Sequence, residues 1–519
     1  MKGSEKREVS QEIEVKLQLM SPDEMQFFWE HPLIRVHLEG EPKVHRLLSI
    51  YYDTADHRML KHGLIYRVRS DQDDWIATVK KMGQSEGGFH QRDEWNMFLP
   101  DGTPRPDLLE EESIREEVMT LIGNQALAPL VYTEFQRTLA EWTDHSGNRI
   151  EIALDQGIIE AGKCQRPIQE LELELKHGSP EAMLLLASEL SEQIPMKPES
   201  ASKFHRGLEL IHLAEPDHKN GKDSGSKNVS SLGRQQLHEA VPSLFEDVYL
   251  DVVKTVERLH MEPKNPKLIH EFRVNVRRYR SVLSFFKPIL PTNTYETLQL
   301  KLRQWTSQMA RLRELDVMQE HFDLFWEETS GLERTKQSDN PLQKTLQTER
   351  EQERDKVAKR IDRCEMTPVM FEIWHLTRIL CEEMEQSKKN LNAYAGKRTN
   401  EWITEFEKKG RITGYEEITK LHRLRIRGKK IRYVMEWLHP IIPKISCKSV
   451  KVMKKLQDLL GEMHDIHCET LHMRRWVDDQ PSSPEIMTAL GMYEGWQTRR
   501  EFELSHQLKY FWKKAVKKL

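Results

Sequence analysis

The sequence predicts a multidomain protein with an N-terminal α+β region rich in antiparallel strands and an all-α C-terminal region. Upstream of residue 216, apolar and polar residues alternate at every second position in several segments, which is typical of half-buried strands. From residue 234 onward, apolar residues recur at helical spacing over long segments. The chain has 519 residues, a length that suits roughly two to four domains.

A linker at residues 216–233 separates the two regions. Its sequence, PDHKNGKDSGSKNVSSLG, is rich in Gly, Ser, Lys and Asp and nearly free of apolar residues. The charge balance changes sign there, because residues 1–215 hold 24 Lys and Arg against 39 Asp and Glu, whereas residues 216–519 hold 55 against 44. The net charge of −4 therefore averages an acidic and a basic region. We predict domains at 8–215 and 234–517.

The composition excludes several classes of protein. The five cysteines are scattered and form no CxxC pair, so neither a disulfide framework nor a structural zinc site is expected. Residues 1–16 are charged throughout and lack the apolar core of a secretory signal, and no apolar run approaches the ~18 residues that span a bilayer. We expect a soluble cytoplasmic protein that does not bind membranes.

Charged residues share faces along the predicted strands. Segment 12–19, EIEVKLQL, alternates strictly, and segment 170–176, ELELELK, does the same. Carboxylates at every second position lie about 7 Å apart and repel one another. Other segments carry their Lys and Arg residues on one face instead.

Two interpretations fit these strands. A sheet with one solvated face is the simpler interpretation of any single strand. The separation of acidic from basic strands favours two walls of one cavity, because carboxylates bind hard divalent cations and Arg and Lys bind phosphate oxygens. A metal–polyphosphate substrate needs both. Tyr51 and Tyr52 are interpreted as packing residues.

Residues 10–212 resemble the CYTH superfamily, the triphosphate tunnel metalloenzymes. This family includes inorganic triphosphatases, thiamine triphosphatases and class IV adenylyl cyclases. The resemblance begins with ExExK at 12–16 and continues through an ordered set of motifs: YYDT at 51–54, LIYRVR at 64–69, TVK at 78–80, RDEW at 92–95, EIALDQGII at 151–159, ELELEL at 170–175 and SKFHRG at 202–207.

The resemblance implies an eight-stranded antiparallel barrel around a charged tunnel, and Mg²⁺ or Mn²⁺ as the cofactor. The implied metal-binding residues are Glu12, Glu14, Asp155, Glu170 and Glu172. The implied phosphate-binding residues are Lys16, Arg67, Arg69, Lys80, Arg92, Arg137 and Lys203. Together with Glu12 and Glu14, these cations form the expected catalytic set. Further charged residues that fit the same faces are Glu94, Arg149, Glu151 and Glu174.

The basic region contains a duplicated helix. Segment 268–290 aligns with segment 420–442, and segment 302–317 aligns with 453–468. In each copy of the first pair, a His and several Arg or Lys residues fall on one face of the helix, within an arc of about 80° in the first copy. A solvated helix face is the simpler interpretation. The recurrence of the row, without acids at i+4, favours a site for a polyanion.

This region, roughly 235–515, resembles the CHAD domain through the motifs IHEFRVNVRRYR, LRELDV, LHRLRIRGKKIRY and LQDLLGEMHD. The family is associated with inorganic polyphosphate and is commonly fused to CYTH domains in bacteria. The resemblance implies a pair of four-helix bundles. The implied polyphosphate contacts are His270, Arg273, Arg277, Arg278, His422, Arg425, Lys429, Lys430 and Arg432.

Acidic residues and histidines near these rows have simpler interpretations. Asp316 and Asp465 would cap helices or orient the arginines, and structural roles are favoured. A metal site at His464 and His467 is disfavoured.

Three functions remain open at this point. The first is metal-dependent hydrolysis of inorganic triphosphate, with polyphosphate bound by the helices. The second is a non-catalytic polyphosphate-binding protein associated with polyphosphate granules. The third, thiamine triphosphatase or adenylyl cyclase activity, ranks last because no adenine pocket is recognised. Nucleic acid is a weaker partner than polyphosphate, because the basic rows lack the interleaved aromatic residues that stack on bases.

Overall fold

A computed structural model describes residues 10–71, 74–81, 84–86, 89–212, 232–329, 341–384, 387–412, 418–442, 445–478 and 484–515. The chain divides into two compact units. The sheet unit comprises Met1–Gly221 and Arg363–His375, and the helical unit comprises Lys222–Asp362 and Leu376–Leu519. Most of the predicted linker lies outside the described residues.

The sheet unit is built on antiparallel strands. In chain order they are β1 (Ser10–Leu19), β2 (Leu38–Asp53), β3 (Leu64–Asp71), β4 (Asp74–Lys81), β5 (Gln84–Glu86), β6 (Phe89–Leu99), β7 (Ala128–Thr143), β8 (Arg149–Ala161), β9 (Cys164–His177) and β10 (Met196–Pro198). Their order in the sheet is β10-β1-β9-β8-β7-β2-β3-β4-β6-β5. β1 also pairs with β6, so the sheet curls round until β1 lies beside both β9 and β6.

Eight of these strands are long enough to form the expected sheet, and the three-residue strands β5 and β10 add to its ends. Both faces of β1 are buried. Val15 and Leu17 are 0% exposed on one face, while Glu14 is only 2% exposed on the other. The interpretation of a solvated charged face is therefore wrong for this strand. Its described charged side chains, Glu14 and Lys16, lie buried on the inner face of the curled sheet.

Six helices pack with the strands in the described part of this unit. They are α1 (Pro22–Phe27), α2 (Pro32–Arg35), α3 (Arg58–Lys61), α4 (Glu112–Ile122), α5 (Pro180–Gln193) and α6 (Lys203–Leu210). Ser202 caps α6, since its hydroxyl accepts a hydrogen bond from the backbone N–H of His205 at 3.2 Å. Phe204 and Leu208 of α6 pack into a core cluster with residues of β2, β7, β8 and β9. This packing fixes the N-terminus of α6 against the sheet interior.

The described part of the helical unit consists of long helices. They are α7 (Leu237–Met261), α8 (Pro266–Phe286), α9 (Thr292–Ser307), α10 (Ala310–Thr329), α11 (Pro341–Asp362), α12 (Thr367–Glu382), α13 (Leu391–Ile412), α14 (Ile418–Leu438), α15 (Cys447–Asp478) and α16 (Pro484–Ala515). The division between the units falls within α12, at His375. The predicted fold class, an α+β antiparallel region followed by an all-α region, is confirmed.

The two duplicated helices pack against each other. α8 contacts α7, α9 and α10, and α14 contacts α13 and α15. α8 and α14 are also in direct contact, so the two basic rows lie on neighbouring helices. No helix in the described ranges combines the length and the apolar character needed to cross a membrane.

Candidate functional site

The interior of the sheet unit holds a cavity of about 300 Å³ with charged walls. Two of the predicted acidic residues, Glu14 and Glu172, line it. The predicted basic residues that line it are Lys16, Arg67, Arg69, Lys80, Arg137 and Lys203. The cavity therefore brings together most of the residues that the sequence predicts for metal and phosphate binding.

Strand register explains this convergence. Lys16 of β1 is the direct partner of Glu172 of β9. Asp155 of β8 lies between Arg137 of β7 and Glu170 of β9, and is the direct partner of each. Direct cross-strand partners place their side chains on the same face of a sheet, so the charges meet inside the curl.

Three carboxylates form a buried cluster on this face. Asp155, Glu170 and Glu172 each place one oxygen within 4.8 Å of the others. Asp155 and Glu170 are completely buried, and Glu172 is 7% exposed. Such a set of oxygen donors has the chemistry that a hard divalent cation requires. The predicted metal-binding residues of β8 and β9 are thus close enough to share one ion.

The ammonium group of Lys203 lies among these carboxylates. Its Nζ is 2.9 Å from Oδ2 of Asp155 and 2.8 Å from Oε1 of Glu172, and it also contacts Glu170. Burial opposes the charge of Lys203, but the three carboxylates outweigh it and raise the pKa of the ammonium. Lys203, for which the resemblance implies a phosphate contact, neutralises the carboxylate cluster in this structure.

Glu172 is the most heavily paired carboxylate of the cluster. It accepts hydrogen bonds from Lys16 Nζ at 2.7 Å and from Arg137 Nη2 at 2.5 Å, in addition to Lys203. Burial opposes its ionisation, but Arg137, Lys16 and Lys203 hold its pKa well below the usual range. Arg137 also donates two bonds of 2.7 Å to the carboxylate of Asp155, a bidentate geometry that fixes both groups. Glu172 therefore stays ionised at neutral pH.

Arg206 is a further cation at the cluster. It is 1% exposed, contacts Glu170 through Nη2, and lies 3.6 Å from Glu199 through Nη1. The sequence analysis missed Arg206 as a site residue, although it lies three residues after Lys203 in the same motif and hence on the same helix face.

A cationic wall of the cavity is formed by β3 and β4. Arg67 donates to the hydroxyl of Thr78 at 3.0 Å, and Lys80 lies 2.5 Å from Glu94. Arg69 donates to the hydroxyl of Ser49 at 3.0 Å. Burial and the nearby charges of Arg67 and Arg137 lower the pKa of Arg69 to about 10. Repulsion among these arginines would be relieved by an anion in the cavity.

The remaining predicted residues of the sheet unit divide into three groups. Glu151 and Glu174 line the cavity, where Lys176 lies 3.3 and 2.7 Å from them. Arg149 is exposed instead. Glu12 and Arg92 are paired across β1 and β6, but their side chains lie outside the described residues.

The basic rows of α8 and α14 converge in the helical unit. Burial, together with Arg425 and Arg277, lowers the pKa of Lys429 to about 7. Burial and Arg277 likewise lower the pKa of Arg273, to about 10. Arg277 of α8 contributes to the lowered pKa values of Arg425 and Lys429 of α14. Since the two helices are in direct contact, like charges of the two rows lie close together. Such a cluster is unfavourable when empty and suits a polyanion.

The other predicted polyphosphate contacts have partners of their own. Arg278 donates to Asp251 at 2.7 Å, and Lys430 donates to Ser284 at 3.3 Å. Arg432 lies 3.8 Å from Glu436 and 3.9 Å from Asp458. All three of these basic side chains are half-buried.

The pKa values of the two predicted histidines of the rows, His270 and His422, are both lowered. His270 is affected first by burial and then by Arg313. His422 is affected by burial and Arg425, and its Nδ1 lies 3.2 Å from Nδ1 of His464. Both rings are therefore favoured in the neutral form.

The two aspartates near the rows differ. Asp316 accepts a hydrogen bond from Arg350 at 2.7 Å and lies 3.4 Å from Arg354, and both of these arginines belong to α11 rather than to the basic rows. Its role is therefore to join α10 to α11. Asp465 acts on Arg425 electrostatically, so it belongs to the basic cluster.

Comparisons with known proteins agree with this geometry. One family model, described as CYTH domain, matches residues 10–208, and another, described as CHAD domain, matches residues 248–474. An inorganic triphosphatase of Haemophilus influenzae is 30% identical over 232 residues, which cover 41% of this chain. The match spans 63% of that relative's length.

Two solved structures are also similar. A Hippeastrum protein, described as having a dominant triphosphatase activity, is 21% identical with a TM-score of 0.30, over 38% of this chain and 95% of that one. The CHAD domain of Ricinus communis is 20% identical with a TM-score of 0.43, over 54% of this chain and 92% of that one. On the two family models, the chain contains a CYTH domain at residues 10–208 and a CHAD domain at residues 248–474.

Proposed function

We propose that the sheet unit hydrolyses inorganic triphosphate with a divalent cation, and that the helical unit binds polyphosphate. The observation that carries the proposal is a cavity with a cationic wall that also borders the buried carboxylate cluster through Glu172. Glu172 and Asp155 lie in the cluster, and Arg67, Arg69 and Lys80 form the wall. The similarity to an inorganic triphosphatase of Haemophilus influenzae supports the choice of reaction.

The size of the cavity favours an inorganic substrate. Its volume of about 300 Å³ lies at the small end of ligand-binding cavities, which run to about 1,000 Å³. Most of its described lining residues are charged, and only Tyr51, Ile65 and Phe204 among them offer apolar surface. Such a lining suits an inorganic phosphate chain better than a nucleotide base or a thiamine ring, so thiamine triphosphatase and adenylyl cyclase activity rank below triphosphate hydrolysis.

The cofactor would be held by Asp155, Glu170 and Glu172, with Glu14 adjacent through Lys16. When bound, Mg²⁺ or Mn²⁺ supplies positive charge against the phosphate oxygens. Arg67, Arg69 and Lys80 hold the chain extended and stabilise the charge that spreads over the phosphoryl group in the transition state. Catalysis by such a site is mainly positioning and electrostatics.

Lys203 belongs both to the carboxylate cluster and to the lining of the phosphate-binding cavity. Its side chain reaches the carboxylates and also lines the cavity. A divalent cation held by these carboxylates would repel the ammonium of Lys203, and a phosphate chain in the cavity would offer it an anionic partner. The implied contact of Lys203 with phosphate is thus a property of the loaded site.

Phosphate release tests the activity. Purified protein is incubated with tripolyphosphate, ATP or thiamine triphosphate, each with Mg²⁺ or Mn²⁺. We expect the highest kcat/KM for tripolyphosphate and no turnover in EDTA. Faster hydrolysis of ATP or thiamine triphosphate would contradict the substrate assignment. Absence of turnover with all three would favour the non-catalytic binding protein.

Polyphosphate binding by the helical unit rests on the facing cations of α8 and α14. Binding of a labelled long-chain polyphosphate to the full chain is measured for the double variant Arg277→Glu and Arg425→Glu, with the exposed Arg423→Glu as the matched control on α14. We expect the double variant to lose most of its affinity and the control to keep it. Equal affinities would reject the site. This binding is the basis on which we propose association with cytoplasmic polyphosphate granules.

A further inference from the structure

Tyr51 stands apart from the other residues of the cavity. It lies on β2, is 7% exposed and lines the cavity, where it is the direct cross-strand partner of Arg67. Its ring stacks on Phe204 of α6, with 5.0 Å between the centroids and 25° between the planes. Packing against Phe204 accounts for the position of the ring. It does not account for the polar end of the side chain, which reaches a charged cavity.

The hydroxyl of Tyr51 is surrounded by cations. Burial raises its pKa, but Arg67, Arg69, Lys203 and Lys80 outweigh burial and lower it below the usual value. All four belong to the proposed phosphate-binding set. Among the described residues, no hydrogen bond to the Tyr51 hydroxyl is formed. Because Tyr51 lines the cavity, its hydroxyl is available to a ligand or water there.

The neighbouring Tyr52 shows what a purely structural tyrosine looks like in this strand. Its side chain points to the opposite face and packs against the core cluster formed by β3, β4, β6 and α4. Burial and Tyr132 raise its pKa. The two adjacent tyrosines therefore differ in surroundings although they share a strand.

We propose that the Tyr51 hydroxyl donates a hydrogen bond to the phosphate chain of the substrate, which makes Tyr51 a substrate-binding residue of the cavity. This inference rests on the proposed function of the same site. The surrounding cations attract anions to this position. Anionic phosphate oxygens are strong hydrogen-bond acceptors for a hydroxyl there. A bound chain also neutralises those cations, so the hydroxyl keeps its proton and remains a donor. A hydroxyl adds an interaction there without the charge repulsion that a further cation would introduce.

Tyr51→Phe tests the proposal, because it retains the ring that stacks on Phe204 and removes only the hydroxyl. Tyr52→Phe is the matched control. We expect Tyr51→Phe to weaken tripolyphosphate binding roughly tenfold, the effect typical of a lost hydrogen bond to a charged group, with unchanged thermal stability. Calorimetry measures this binding, and KM should rise with kcat little changed. Wild-type affinity and KM in Tyr51→Phe would overturn the proposal.

A spectroscopic titration supplies an independent measurement. Absorbance near 295 nm follows tyrosinate formation as the pH rises. In the wild type and in Tyr52→Phe, we expect one tyrosine to ionise before the others and to shift to higher pH when tripolyphosphate is added. That response should be absent from Tyr51→Phe. A tripolyphosphate-induced shift that persists in Tyr51→Phe would assign it to another tyrosine and reject the proposal.

These measurements separate the two proposals. If the wild type binds tripolyphosphate but does not hydrolyse it, the hydrolytic function fails, while a loss of binding in Tyr51→Phe still supports the contact. If the wild type hydrolyses tripolyphosphate and Tyr51→Phe matches it in KM and in affinity, the contact fails and the hydrolytic function stands.

Discussion

Lys203 Nζ lies 2.8 Å from Oε1 of Glu172, inside the carboxylate cluster proposed to bind the divalent cation. Three buried carboxylates without a counter-charge would be strongly destabilising. The ammonium of Lys203 and the guanidinium groups of Arg137 and Arg206 supply that charge. The cluster is therefore stable in the absence of metal, and a divalent cation has to compete with a side chain for it.

Replacement of Lys203 separates its stabilisation of the carboxylate cluster from its competition with the divalent cation. Lys203→Met removes one partner from a buried ion cluster, so we expect the free energy of unfolding in EDTA to fall by about 3–5 kcal/mol. Without the competing ammonium, Mn²⁺ should bind more tightly in the absence of substrate and restore part of that stability. Chemical denaturation and calorimetry measure the two effects. The exposed Lys163→Met is the control, and an unchanged Mn²⁺ affinity in Lys203→Met would contradict the competition.

The pair of Arg206 with Glu170 should contribute strongly to stability. Arg206→Met leaves a completely buried carboxylate short of a partner, so we expect a loss of about 3–5 kcal/mol in the free energy of unfolding. Arg166 pairs with Glu209 at 2.7 Å on the surface. Arg166→Met should therefore cost less than about 1 kcal/mol. Similar losses in the two variants would show that burial does not set the strength of the Arg206 pair.

Acid pH should destabilise the metal-free protein through Glu172 and Asp155. The pKa values of both carboxyls are lowered in the folded state, where Arg137 and Lys203 outweigh the opposing effect of burial. Their contribution is present above the usual pKa values of 4.5 and 3.8, and it is lost as the pH falls below them toward the lower folded-state values. Urea unfolding between pH 7 and pH 3 measures the slope.

Glu172→Gln should flatten that pH dependence, because it removes one of the linked groups. Glu134→Gln, an exposed position on β7, should leave it unchanged. An equal slope in the wild type and in Glu172→Gln would contradict the assignment of the acid sensitivity to this cluster.

Polyphosphate binding should be coupled to proton uptake by Lys429. Burial and the nearby Arg425 and Arg277 lower its pKa to about 7 in the free protein, and a bound polyanion favours the charged form and raises it. Affinity should therefore decrease as the pH rises from about 7 toward the ordinary lysine range. Calorimetry in two buffers of different ionisation enthalpy measures the protons taken up near pH 8.

Lys429→Met tests the source of those protons. It should reduce the uptake and weaken binding, yet raise the thermal stability of the free protein, because it relieves repulsion among the basic rows. The exposed Lys448→Met on α15 should change neither property. Proton uptake of wild-type size in Lys429→Met would assign the linkage to another group.

Sequence patterns predicted those features of the sites that depend only on the periodicity of a strand or a helix. The alternation in β1 predicted that Glu14 and Lys16 share a face, and that in β9 predicted the same of Glu172 and Glu174; all four line the cavity. The duplication predicted a basic row in each copy. Arg277 and Lys429 of these rows lie on two packed helices, and Arg277 contributes to the lowered pKa of Lys429.

Other features depend on tertiary packing and could not be obtained from spacing. Lys203 and Arg206 reach the carboxylates because core packing of Phe204 and Leu208 directs the N-terminus of α6 toward the sheet interior. The sequence therefore assigned Lys203 only to phosphate and passed over Arg206. Tyr51 was interpreted as packing because its cationic surroundings come from β3, β4 and α6, which are distant in sequence from one another.

The most direct test of the central claim is tripolyphosphate hydrolysis by Glu172→Gln. Glu172 receives hydrogen bonds from Lys16, Arg137 and Lys203 and belongs to the proposed metal site. With saturating Mg²⁺ or Mn²⁺, we predict that kcat/KM falls by at least about a hundredfold, whereas the exposed Glu134→Gln keeps wild-type activity. Retention of wild-type kcat/KM by a folded Glu172→Gln protein would contradict the proposed site.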